Sequence, residues 1–109
     1  MPDELICIHT TTDSRDSALR IARQLIEQRL AACVQLSEIE SVYRWQDRVE
    51  TAPEQRLLIK TLRAQYQAVE QLILSLHPYE LPAIWAVPVS DASPAYAQWV
   101  ARESATGAS

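Results

Sequence analysis

The chain has 109 residues, enough for one domain whose single hydrophobic core needs no disulfide or metal to fold. Its formal net charge of −4, with 14 acidic against 10 basic residues and no Lys/Arg cluster, offers no electrostatic footprint for nucleic acid or an anionic membrane. Gly107 is its one glycine and asparagine is absent, which excludes a glycine-rich phosphate-binding loop.

The two ends of the chain carry expectations about location and order. Residues 1–4 are acidic and therefore unlike a signal peptide, and no apolar run approaches the roughly 20 residues of a membrane span. We therefore expect a cytoplasmic protein. The single domain should extend over residues 1–109, with the small, polar segment 104–109 disordered.

The first half of the chain predicts a strand, a helix and a second strand. Residues 5–11 are apolar on both alternating sets, which is typical of a central strand buried on both faces. Helical spacing of apolar residues, after capping candidates at Thr12 to Ser14, predicts a helix over 14–31. The sequence predicts the second strand over residues 32–36. After the polar pair Ser37-Glu38 the apolar pattern resumes as far as Trp45, so this strand is long or bent.

The second half repeats this order. Gln46-Asp47 forms a two-residue turn into a hairpin, and residues 55–61 predict the third strand. A second amphipathic helix is predicted over 63–76, and a fourth strand over 83–89, where Pro88 indicates an edge position or a bulge. Ser93-Pro94 then caps a short third helix.

The predicted order βαββαβ with a closing helix is that of a ferredoxin-like α+β sandwich, in which both long helices cover one face of an antiparallel sheet. The other face is left bare. In the first and fourth strands both alternating sets are apolar, so a monomer would expose a large apolar surface. We therefore expect self-association.

A stiff loop stands between the second helix and the fourth strand, in the stretch His77-Pro78-Tyr79-Glu80-Leu81-Pro82. Each proline fixes its own φ and moves the residue before it out of the helical region. His77, Tyr79 and Glu80 can carry a proton, a hydrogen bond or a metal, so the loop is a candidate site. The alternative is a helix stop with a packed tyrosine.

Four motifs in a fixed order span nearly the whole chain, from Thr11 to Trp99. They are Leu30-Ala31-Ala32-Cys33-Val34, Tyr43-Arg44-Trp45, Ile59-Lys60-Thr61 and His77-Pro78-Tyr79, the last followed by Pro82. In these motifs the chain resembles the CutA family of divalent-cation tolerance proteins. Agreement of four motifs in register is far more specific than any one of them.

The resemblance implies a compact homotrimer whose sheets pack inward and whose hairpin pairs with a neighbour. It also implies a link to tolerance of copper and other divalent metals, and an architecture similar to trimeric PII signalling proteins. The chain departs from the family pattern twice. Gln46-Asp47 replaces a usual glycine in the turn, and Ala83 replaces a glutamate that often follows Pro82, which removes a possible metal ligand or acid.

The candidate metal ligands are His77 and Cys33, a borderline nitrogen and a soft sulfur. Copper is the expected ion, because affinities at nitrogen and sulfur sites peak at copper among the divalent ions. No C-x-x-C or H-E-x-x-H spacing occurs, so we expect weak binding that a neighbouring subunit completes. The alternative for Cys33 is a cysteine that only packs.

A ligand pocket is predicted around Cys33, Lys60, Tyr79 and Glu80. Lys60 lies in an otherwise apolar strand, so its ammonium either lines a pocket between subunits or reaches solvent. Aromatic side chains are enriched at interface cores, and the predicted trimer-interface residues are Tyr43, Trp45 and Trp85. The alternative for Tyr43 and Trp45, near the tip of the hairpin, is that they stack against a ligand.

The predicted function is that of a non-enzymatic trimer that binds metal or a small ligand at subunit interfaces, in tolerance of or response to divalent metal. The alternative is a PII-like signalling or scaffold trimer with no physiological metal role. An acylphosphatase-like hydrolase is disfavoured because it needs an anion cradle with Arg and Asn. Negative charge and the absence of Phe disfavour an RNA-binding module. No organic cofactor, nucleic acid or membrane partner is expected.

Overall fold

The computed structural model describes residues 4–105, which form a four-stranded antiparallel sheet with three α-helices. The elements are β1 (Leu5–Thr12), α1 (Arg15–Glu27), β2 (Cys33–Trp45), β3 (Arg48–Leu62), α2 (Tyr66–Leu76), β4 (Ile84–Pro88) and α3 (Pro94–Glu103), with a 3₁₀ turn at Arg63–Gln65 before α2. The strand order in space is β2-β3-β1-β4. The predicted ferredoxin-like α+β sandwich is confirmed, with β1 central and the proline-containing β4 at an edge.

Strict alternation along β1 shows which face of the sheet is covered. Ile6, Ile8 and the two threonines that follow at the same spacing are at most 2% exposed, whereas the intervening residues are only half-buried. The buried set packs against apolar residues of α1 and α2, among them Ile21, Leu25 and Ile73. The opposite side of the sheet is called the open face below. Burial of β1 on both faces, as predicted, therefore requires something to cover the open face.

Helix α1 ends at Glu27, so the predicted end at residue 31 is wrong. Arg29 has a φ of 59°, the left-handed conformation that usually needs glycine. The N–H groups of Arg29 and Leu30 bond back to the carbonyls of Ile26 and Leu25, which closes the helix in a Schellman motif. The Arg29 guanidinium donates to the carbonyls of Arg102 and Ala105, so contacts with the end of α3 hold the residue in this conformation.

Strands β2 and β3 continue beyond the rest of the sheet as a two-stranded ribbon. Strand β1 pairs with β3 only from Leu62 to Gln55, so residues 39–54 project as what is called the hairpin arm. The turn residues Gln46 and Asp47 have φ values of 51° and 65°, as a two-residue type I′ turn requires. The predicted turn is confirmed. The second strand, predicted to be long or bent, is one continuous strand over Cys33–Trp45.

The end of the described chain is held by side chains. Ser104, where the predicted disordered tail begins, is fully buried, and its hydroxyl donates to the carbonyl of Val100. The prediction that the segment 104–109 is disordered is therefore wrong for Ser104. Residues 106–109 of that segment lie outside the described residues. Within residues 4–105, no helix has both the length and the apolar character needed to cross a membrane.

Candidate functional site

The loop 77–83 joins α2 to β4, and its first residue is fixed by two hydrogen bonds. His77 is extended, with φ −77° and ψ 137°, as expected before proline. Its Nε2 lies 2.7 Å from the carbonyl oxygen of Thr11, and its Nδ1 accepts from the backbone N–H of Tyr79 at 3.1 Å. Because Nδ1 accepts, Nε2 must carry the proton and donate it. Both ring nitrogens are engaged, and His77 positions Tyr79.

The hydroxyl of Tyr79 connects this loop to the base of the hairpin arm. It donates a 2.7 Å hydrogen bond to Oε2 of Glu54, a β3 residue that is only 8% exposed. Burial raises the pKa of Tyr79 well above its ordinary value, and the hydrogen bond to Glu54 and the charges of Glu54 and Asp13 raise it further. The phenol therefore stays protonated and remains a donor to the carboxylate.

A groove of about 590 Å³ lies between the hairpin arm and the loop 77–83. Its acidic groups are the carboxylates of Glu54 and Glu80, and its walls are mainly apolar and aromatic. The other lining residues are Thr11, Ser41, Val42, Tyr43, Trp45, Tyr79, Leu81 and Ala83. The groove falls within the roughly 300–1,000 Å³ typical of small-molecule sites. It contains two of the four predicted pocket residues, Tyr79 and Glu80.

The other two predicted pocket residues, Cys33 and Lys60, lie farther along the sheet on its open face, away from the groove. Cys33 and Cys7 pair with Lys60 from its two sides, so the three side chains form one row across the sheet. The Lys60 ammonium donates to Oε1 of Gln35 at 2.8 Å. Lys60 and Glu54 are six residues apart on β3, or roughly 20 Å along the strand. Within one chain, the predicted pocket is therefore two separate places along the sheet.

The predicted metal ligands are also kept apart. Both ring nitrogens of His77 are occupied by protein groups, and Cys33 belongs to the open-face row rather than to the loop 77–83. Residues 4–105 contain no group of three or more His, Cys, Asp or Glu side chains placed to hold a metal ion. The described residues of one chain do not form a closed copper site, and metal binding by His77 and Cys33 stays a prediction that needs ligands from a neighbouring subunit.

The aromatic residues predicted at the trimer interface occupy two places. Tyr43 and Trp45 line the groove from the hairpin arm. Trp85 lies on the open face, where it stacks on His9 with ring centroids 4.0 Å apart and planes 14° apart. Burial, and then the charge of Arg56, lowers the pKa of His9. Contact of these aromatic residues with a second subunit stays a prediction.

Sequence reasoning missed Glu54. It lies 25 residues before its partner Tyr79 in the chain, and a single glutamate after a proline has no signature of burial. The one available signal was its position between two strand-like runs. A glutamate there must either face solvent or find a buried partner.

The fold and the site together define a ferredoxin-like protein with a small-molecule-sized groove at the base of a long hairpin. Residues 6–103 match the family model described as CutA1 divalent ion tolerance protein. The chain therefore belongs to the CutA1 family of divalent ion tolerance proteins. That description concerns ion tolerance and names no reaction.

Individual relatives agree with this assignment. The chain is 36% identical over 101 residues to Protein CutA of Mus musculus, which covers 92% of this chain and 57% of the mouse protein. It thus spans little more than half the length of that relative. Divalent-cation tolerance protein CutA of Thermococcus kodakarensis is 31% identical, over 91% of this chain and 95% of that protein. The crystal structure of CutA from Xylella fastidiosa superposes with a TM-score of 0.89 at 40% identity, covering 92% and 97% of the two chains.

Proposed function

We propose that this protein serves divalent-cation tolerance as a non-enzymatic homotrimer that binds a metal ion or small ligand at its subunit boundaries. The observation that carries the proposal is the apolar surface left uncovered on the open face and the hairpin arm. Trp85 is 51% exposed on the first, and Val42 and Val49 are 68% and 67% exposed on the second. Large apolar side chains exposed together on the surface of a soluble protein often mark an interaction site.

The hairpin arm supports assembly for a second reason. A two-stranded ribbon that packs on nothing is at best marginally stable in water. The arm carries exposed apolar or aromatic side chains on both of its faces, Val42 and Val49 on one and Tyr43 and Trp45 on the other. We propose that a neighbouring subunit packs against the arm over Val42 and Val49 and against the outer edges of Tyr43 and Trp45, so that these two rings anchor the contact while their inner faces still line the groove.

The proposed metal is copper, which binds weakly at the open face. The thiol of Cys33 is a free, half-buried soft ligand there, and subunits that cover this face would bring further ligands to it. His77 takes no part, because both of its ring nitrogens are committed within the chain. The free thiols of Cys7 and Cys33 also suit a reducing compartment, in support of a cytoplasmic protein.

The experiment is an anaerobic calorimetric titration with Cu²⁺ on a sample whose mass in solution is measured in parallel. We expect weak binding that is lost in Cys33→Ser and kept in His77→Ala, with Cys7→Ser as the matched thiol control. A trimer that binds no copper would overturn the metal role and favour the alternative of a PII-like signalling or scaffold trimer. A monomer would overturn the assembly.

A further inference from the structure

The groove between the hairpin arm and the loop 77–83 combines buried negative charge with aromatic walls. We propose that it binds a monovalent organic cation with an apolar body, of the alkyl- or arylalkyl-ammonium class. This inference rests on the proposed ligand-binding role of the protein and deepens it by naming the class of ligand. The ammonium head would lie at Glu54 and the body along the aromatic walls.

Glu54 supplies the charge. It is 8% exposed and lines the groove, and the hydroxyl of Tyr79 donates to its Oε2. A carboxylate offers about four acceptor positions over its two oxygens, so one hydrogen bond leaves room for further donors. An ammonium group has up to three N–H donors and a full positive charge. It would therefore stabilise the buried carboxylate in a way that a neutral ligand cannot.

The electrostatic field in the groove has the sign that a cation needs. Burial first, and then the hydrogen bond to Glu54 and the charges of Glu54 and Asp13, raise the pKa of the Tyr79 hydroxyl, so an added negative charge is disfavoured there. Glu80 adds a second, exposed carboxylate to the lining. Lys and Arg are absent from the described residues that line the groove. Burial alone opposes any charge, but the carboxylates of Glu54 and Glu80 oppose an anion and favour a cation.

The aromatic rings explain why the cation should be organic. Tyr43, Trp45 and Tyr79 face the groove, and cations bind over such rings through the negative electrostatic potential of their faces. Leu81 extends the apolar surface that would contact a hydrocarbon body. The groove offers a divalent ion two carboxylates on a largely apolar wall. Because Ca²⁺ and Mg²⁺ take about six or more oxygen ligands, the groove suits them less well than an organic cation.

The test compares three probes with nearly the same body and different charge: phenethylammonium, phenethyl alcohol and phenylacetate. Binding to the full chain is followed by calorimetry and by tryptophan fluorescence at neutral pH. We expect phenethylammonium to bind at least about tenfold more tightly than the alcohol, because its charged N–H groups form stronger hydrogen bonds with the Glu54 carboxylate than a neutral hydroxyl does. Phenylacetate should bind most weakly. Equal affinity for the alcohol and the ammonium would overturn the proposal.

Variants locate the site. Glu54→Gln keeps an acceptor for Tyr79 and should weaken ammonium binding about tenfold, whereas Glu80→Gln, at an exposed position, should weaken it less. Glu27→Gln removes the same charge from the exposed end of α1 and should leave affinity unchanged. If Glu54→Gln does not fold, the test is whether Glu80→Gln binds phenethylammonium more weakly than Glu27→Gln does. Equal affinity in all of the folded variants would overturn the assignment.

The mass of each sample separates this inference from the proposed assembly. A trimer without preference for the ammonium overturns the cation site and leaves the assembly standing. A monomer that prefers the ammonium supports the cation site, since Glu54, Tyr79 and Glu80 come from one chain, and overturns the trimer.

Discussion

The hydroxyl of Tyr79 and the buried carboxylate of Glu54 lie 2.7 Å apart, and this hydrogen bond joins the loop after α2 to the base of the hairpin arm. His77 prepares the contact, because its Nδ1 accepts from the backbone N–H of Tyr79 while its Nε2 is held by Thr11. The groove therefore has a floor that is set by the fold before any ligand enters.

Removal of the Tyr79 hydroxyl should destabilise the protein. Tyr79→Phe leaves an oxygen of buried Glu54 without its donor, which we expect to lower the free energy of unfolding by about 1–3 kcal/mol. Urea denaturation measures this. The matched control is Tyr66→Phe, which removes a similar bond to Glu70, a more exposed acceptor, and should cost less. Equal losses in the two variants would argue against a special role for the Tyr79 contact.

Two substitutions of Arg29 separate backbone strain from side-chain contacts. Arg29→Ala keeps the left-handed φ and loses the bonds to Arg102 and Ala105, whereas Arg29→Gly loses the same bonds and relieves the strain. We expect the glycine variant to be about 1 kcal/mol more stable than the alanine variant in chemical denaturation. Arg23→Ala, on the exposed side of α1, is the control and should change stability by less than about 0.5 kcal/mol. An alanine variant as stable as the wild type would contradict this account.

Protonation of His9 should lower stability as the pH falls. Burial and the charge of Arg56 lower its pKa in the folded state below the ordinary value of 6.5, so the unfolded chain takes up the proton first. The contribution of His9 is therefore fully present above pH 6.5 and is lost as the pH falls below it. Denaturation of wild type and His9→Gln over this pH range measures the difference. Parallel stability profiles for the two proteins would exclude the effect.

Trp85 tests whether the open face is an interface. Removal of an interface aromatic typically costs on the order of 2 kcal/mol or more, so Trp85→Ala should weaken association many-fold in a sedimentation concentration series. Leu74→Ala is the control, because Leu74 is similarly exposed, at 47% against 51%, but lies on α2, in the layer that covers the other face of the sheet. If the two variants associate alike, Trp85 is not at the contact.

The fold could be predicted from sequence because its signals are local. Alternation along β1, helical spacing in α1 and a two-residue turn at Gln46-Asp47 each act within a few residues. The end of α1 could not be predicted, since Arg29 takes a conformation that favours glycine. Contacts with Arg102 and Ala105, more than 70 residues away, hold it there.

The candidate site was predicted only in part for a similar reason. The stiffness that prolines give to their loop predicts Tyr79 and Glu80, but Cys33 and Lys60, predicted to share their pocket, lie roughly 20 Å along the strand from the groove. Which residues share a site depends on strand register, and no local pattern reports it. Glu54 was missed because its partner is contributed by a distant loop.

The central claim is that the open face and the hairpin arm are covered by other copies of this chain. Sedimentation equilibrium at micromolar concentration tests it most directly. We predict a single species with three times the chain mass of 12.3 kDa that persists on dilution. A mass near 12.3 kDa across the concentration range would contradict the account.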